Sequence, residues 1–136
     1  MFLNEFIKET NKNQMLSTLL KHYKVESIKM KYKSIKDHAH YNVDTGTLEL
    51  STKYKTIKNS QIKEFLITII HEIRHAMDAK KYGWRKFKDM YEWEMNYQIQ
   101  NGKDEYKDNK YEIEAEQFGQ KNYRKWLQKF KKEGLI

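Results

Sequence analysis

The chain has 136 residues, 38% of them hydrophobic and 34% charged, with a net charge of +8 and neither cysteine nor proline. That length supports one domain, 1–136, with a modest core and no room for a second. The lack of cysteine excludes disulfides and thiolate ligands, and no apolar run approaches the roughly 20 residues of a membrane span.

The start, Met1-Phe2-Leu3-Asn4-Glu5, has no basic stretch ahead of a long apolar one. Neither a signal peptide nor an anchor is expected, and the default expectation is a cytoplasmic monomer. The positive charge is almost all lysine, with Arg74, Arg85 and Arg124 the only arginines. Phosphate and base recognition favour arginine forks, so this excess reads chiefly as a solvated surface and gives little support to a nucleic-acid partner.

Phe2, Leu3, Phe6 and Ile7, followed by Met15, Leu16, Leu19 and Leu20, mark an N-terminal helix or a broken pair. Ile28, Met30 and Tyr32 then alternate, and Tyr41 and Val43 are separated from Leu48 and Leu50 by Asp44-Thr45-Gly46. Alternation around a glycine turn predicts two or three short antiparallel strands, so the expected class is α+β. Thr47 to Ser51 is the candidate for an edge that pairs with an extended peptide, the alternative being an ordinary structural strand. Phe65, Leu66, Ile69, Ile70, Ile73, Ala76 and Met77 recur at three- and four-residue steps and predict a largely buried helix from about Ile62 to Lys80. Trp84, Phe87, Met90, Tyr91, Met95 and Tyr97 form a further helical stripe up to an Asn101-Gly102 stop. That stripe is either core or the wall of a cleft. A last helix carries Tyr111, Ala115, Phe118, Asn122 and Trp126 on one face.

Within the buried helix lies His71-Glu72-Ile73-Arg74-His75. Imidazoles four residues apart leave one helix face together and can reach a single Zn²⁺, while Glu72 is placed to act on a water that the metal activates. The bland alternative is a pair of core histidines beside a solvated glutamate. A zinc site needs a third ligand, and Tyr111-Glu112-Ile113-Glu114-Ala115-Glu116 supplies carboxylates. Glu112 and Glu116 stack one turn apart beside Ala115, whereas Glu114 points well round the cylinder. Glu112 is taken as the third ligand and Glu116 as the acceptor for the free N–H of a liganding histidine. The small Ala115 and Gly119 would let the two helices approach closely.

The two stretches, His71-Glu72-Ile73-Arg74-His75 and Glu112-Ile113-Glu114-Ala115-Glu116-Gln117-Phe118-Gly119, resemble the gluzincin zinc metallopeptidases. The minigluzincins and the Ste24/HtpX-like branch, with Glu-x-x-Ala-Asp on the later helix, are most similar, and the ImmA/IrrE-like peptidases come next. The resemblance covers about Tyr41 to Tyr123, with two departures: Glu116 stands where Asp is usual and Gly119 where Ala is usual. It implies a zincin-like domain in which a small antiparallel sheet packs on an active-site helix and a following glutamate helix. It further implies zinc held by His71, His75 and Glu112, Glu72 as general base, and a protein or peptide substrate cleaved as by an endopeptidase. A Tyr, His or Arg donor to the oxyanion is expected among Tyr106, Tyr111, Tyr123, Arg124, His38 and His40. The competing reading is a basic binding module, for nucleic acid or a regulatory protein, with a structural or inactive zinc site.

Overall fold

The structure is a computed structural model that describes residues 5–136. It is α+β, with four helices and a three-stranded mixed sheet. Phe2 and Leu3, part of the expected N-terminal helix, lie outside the described residues.

Residues 5–8, the first described, are extended and not helical. Phe6 forms an isolated antiparallel bridge with Lys58, and the Ile7 N–H donates to the Ile57 carbonyl at 2.8 Å. Helix α1 (Glu9–His22) follows and buries Met15, Leu16, Leu19 and Leu20. The expected helix therefore survives only in its second half, because Phe6 and Ile7 belong to a strand-like segment laid against residues 57–59. Lys12 is 1% exposed, and its ammonium donates to the carbonyls of Tyr54 (3.0 Å) and Lys55 (2.7 Å). A cation with its stem in the core and its head capping two carbonyls tethers α1 to the turn after the sheet.

Strands β1 (Lys29–Lys33), β2 (Ala39–Asn42) and β3 (Thr47–Ser51) are ordered β1-β3-β2. The Gly46 turn (φ 64°) closes the predicted β2–β3 hairpin. β1 pairs parallel with β3, so the sheet is mixed where an antiparallel one was expected. The connection from β1 reaches β2 first, and the hairpin then returns β3 into the middle. Thr47–Ser51 is accordingly not an edge: all five residues are buried between two neighbours. Leu48 and Leu50 enter the core, and Glu49, on the other face, meets Lys31 (3.6 Å) and Lys33 (3.8 Å) of β1. The edge that matters is β2, which packs against the long helix α2.

Helix α2 (Ile62–Tyr82) ends at Gly83, whose φ of 84° suits a residue without Cβ. Helix α3 (Trp84–Gln100) stops at Asn101 and Gly102 as predicted, and α4 (Lys110–Lys132) begins after Asn109, whose side chain accepts the Tyr111 N–H at 2.9 Å. The core forms where α2, α4 and the sheet meet, around Leu48, Leu50, Phe65, Ile69, Ile73, Tyr123 and Phe130. The α2–α4 pair is the principal helix packing of the fold. Among the described residues, no helix is long and apolar enough to cross a membrane.

Candidate metal centre

Phe65, Leu66, Ile69, Ile70 and Ile73 of α2 are wholly buried. Burying each such side chain stabilises the fold by about 1.5–3 kcal/mol, enough together to fix the helix's rotation about its axis. With that stripe committed to the core, His71 and His75 face α4. From α4, the buried Glu112 projects between them: its Oε1 lies 2.9 Å from His71 Nε2 and 2.9 Å from His75 Nε2. One turn on, Glu116 Oε1 accepts from His71 Nδ1 at 3.0 Å.

The helices run antiparallel and touch. An ideal Cβ on Gly119 would sit 2.8 Å from the Ile67 carbonyl oxygen, closer than a carbon can approach. Gly119 thus permits the expected close approach one turn from His71. Glu114 stands off the site, exposed, and pairs with Arg74 at 3.6 Å.

Glu72 is buried, and its Oε2 has no hydrogen-bond partner among the described residues. Burial raises its pKa from 4.5 to about 7, against the pull of His75 and His71. Burial by itself would lower the basicity of His71. The hydrogen bond to Glu112, the charge of Glu72 and the bond to Glu116 outweigh it and raise the His71 pKa to about 9. For Glu112, burial opposes ionisation, but hydrogen bonds from both histidines and from Tyr91 hold its pKa far below the usual range.

The donor set suits a metal ion. His71 Nε2, His75 Nε2 and a Glu112 oxygen lie within 4.8 Å of one another, the only such group among the described residues. His75 donates from Nε2, and its buried Nδ1 has no partner among the described residues, so the pair is only partly satisfied by mutual hydrogen bonds. Two imidazole nitrogens and one carboxylate oxygen leave a fourth position open in a four-coordinate site.

A cleft of about 460 Å³ opens onto this group, lined by Glu72, His75 and Glu112, by residues 39–44 of β2 and its turn, and by Tyr91 and Tyr106. That volume falls within the range of ligand sites. Lys88 and Asp44, both in its lining, form an ion pair at 3.0 Å. Of the six candidate donors, only His40 and Tyr106 line the cleft. Tyr111 is buried against Phe87 and Tyr91, Tyr123 takes a hydrogen bond from Arg124 (3.1 Å), and His38 Nδ1 lies 3.1 Å from the Tyr54 hydroxyl. None of these four lines the cleft.

Sequence reasoning placed Tyr91 only in an apolar stripe. Its hydroxyl donates to Glu112 Oε2, and burial and the Glu112 charge push its pKa well above the ordinary 10. A tyrosine on the inward face of a helix needs a partner for its hydroxyl, and that requirement was the signal that could have found it. Comparison with protein-family models, with curated proteins and with solved structures found no match for this chain.

Proposed function

We propose that the protein is a zinc-dependent endopeptidase with a zincin-like arrangement of its histidine and glutamate helices. One observation carries the reading: His71, His75 and Glu112 converge beside a cleft lined by His75, Glu112 and the buried Glu72, whose Oε2 has no hydrogen-bond partner among the described residues. Bound to those three side chains, zinc supplies Lewis acidity, making a water acidic near neutral pH and polarising a carbonyl.

The chain's own groups do the rest. Glu72 Oε2 accepts the proton of the attacking water and then delivers it to the leaving amine, and its burial keeps the carboxylate clear of competing hydrogen bonds at Oε2 among the described residues. Glu116 holds His71 by Nδ1, which fixes the tautomer that presents Nε2 as a ligand. Tyr106 or His40 is within the cleft to donate to the developing oxyanion. β2, an edge strand along the cleft, has backbone groups suited to pairing with an extended peptide, the role expected at first of Thr47–Ser51.

The test is zinc content and cleavage of an unfolded protein such as casein by the wild type and Glu72→Gln. The wild type should bind one zinc and cleave, and Glu72→Gln should retain zinc while losing cleavage by at least about a hundredfold. Equal cleavage by the two proteins would remove Glu72 as base, and absence of zinc binding would remove the reading altogether.

A further inference from the structure

A carboxylate can give a metal one oxygen or two, and the choice decides whether a coordination position stays open for reaction. In this fold the two oxygens of Glu112 are already distinguished. Oε1 faces His71 Nε2 and His75 Nε2 at 2.9 Å each, while Oε2 receives the Tyr91 hydroxyl. We propose that Tyr91 is a positioning residue that occupies Glu112 Oε2 and so restricts this carboxylate to holding a metal through Oε1 alone. The proposal rests on the ligand set of the reading above and adds to it the control of how Glu112 binds.

Tyr91 is built into place. Its ring meets His75 edge-on (6.3 Å), meets Phe87 (6.2 Å) and stacks on Tyr111 (6.1 Å, 26°). Tyr111 precedes Glu112 in the chain, so the stack grips the same turn of α4 that carries the ligand. One turn along α3 from Tyr91, Glu94 is buried and its Oε2 accepts the Lys110 N–H at 2.9 Å, which anchors the start of α4 a second time. The ring and the helix turn are both held by packing, and the hydroxyl donates its hydrogen to the carboxylate oxygen it faces. A charge-assisted hydrogen bond in a partly buried site competes effectively with a second metal–oxygen contact.

Tyr91→Phe removes one oxygen atom and keeps the ring packing. Cobalt(II) reports the outcome without any turnover, because its visible bands are intense in four-coordinate sites and weak at higher coordination number. The cobalt-loaded wild type should show the intense bands, and Tyr91→Phe should lose most of that intensity while still binding one cobalt. Tyr97→Phe, an exposed tyrosine on the same helix, should match the wild type. X-ray absorption of the zinc-loaded wild type gives a second test that needs no variant: it should lack the short metal–carbon distance of a two-oxygen carboxylate.

An unchanged cobalt spectrum in Tyr91→Phe, or a two-oxygen Glu112 in the wild type, overturns this inference and leaves the peptidase reading intact. A wild type that binds neither cobalt nor zinc overturns both.

Discussion

Replacing Gly119 by alanine should weaken the metal site without altering a single ligand. The added Cβ would lie 2.8 Å from the Ile67 carbonyl oxygen and 3.3 Å from Ile67 Cγ2, and the first of these is backbone that cannot swing aside. α2 and α4 must therefore separate locally by several tenths of an ångström. Overpacking of this kind costs about 1–3 kcal/mol. Removing a helix-interior glycine returns about 1 kcal/mol, which leaves a net loss between roughly zero and 2 kcal/mol. The effect on the metal should be larger in proportion, since a ligand set tolerates only about 0.5 Å of displacement. Glu112 is two turns from Gly119 along α4, and His71 is one turn from Ile67 along α2, so the wedge acts on both sides of the site. Zinc affinity, from competition with a chromophoric chelator, should fall about tenfold or more, with stability measured in urea and chelator alongside. Lys121→Ala, at an exposed position on α4, is the control. If Gly119→Ala gained the full propensity benefit and bound zinc as tightly as the wild type, the close approach would not be what brings Glu112 to the histidines.

Ligand choice is checked by metal content after dialysis: Glu112→Ala should lose zinc, whereas Glu114→Ala, which removes only an exposed partner of Arg74, should keep it. Protein stripped by chelator should lose stability as pH rises. The folded-state pKa of His71, about 9, lies above its ordinary 6.5. That group's contribution, about 3 kcal/mol, is fully present below pH 6.5 and lost as pH climbs through 9. Glu72, raised from 4.5 to about 7, acts in the same direction at lower pH, and each group's charge supports the other, so their effects are not summed. Zinc must displace the His71 proton, so the rise in melting temperature on adding zinc should grow from pH 6 to pH 9; a constant increment across that span would contradict the proton competition. Lys12→Met keeps the buried stem and deletes the ammonium that serves two carbonyls, and should cost about 1–3 kcal/mol in urea unfolding of chelator-treated protein. A change under about 0.5 kcal/mol would show that the ammonium anchors nothing.

Much of the fold is legible where the signal is local. The apolar stripe from Ile62, the Asn101-Gly102 stop and the Gly46 turn each act within a few residues, and the structure follows them. What is illegible is nonlocal. Ile28, Met30 and Tyr32 alternate equally well beside either partner strand, so nothing in β1 announces that it pairs parallel with β3 and turns Thr47–Ser51 into the sheet's centre. Phe6 and Ile7 sit at spacings that fit a helix, yet their backbone finds residues 57–59, some fifty positions away. Lys12 reads as a solvated charge, and only the two carbonyls delivered by a distant turn make its burial tolerable.

The site divides along the same line. His71 and His75 share a face because a helix repeats nearly every four residues, and Glu112 and Glu116 share one for the same reason. Two such pairs on antiparallel helices need only one contact to set the rest: stepping back along α2 through His75, His71, Ile67 and Lys63 meets Glu112, Glu116, Gly119 and Tyr123 in turn along α4. The three side chains that could hold a metal ion and the Glu116 beside them were therefore readable together, with Glu116 Oε1 reaching His71 Nδ1 at 3.0 Å. Tyr91 belongs to a third helix whose phase against α4 no repeat in the sequence encodes; it is set by the packing of Phe87, Tyr91 and Tyr111. Helix periodicity can therefore bring together side chains able to hold a metal, while the neighbours that orient those side chains emerge only from packing between elements.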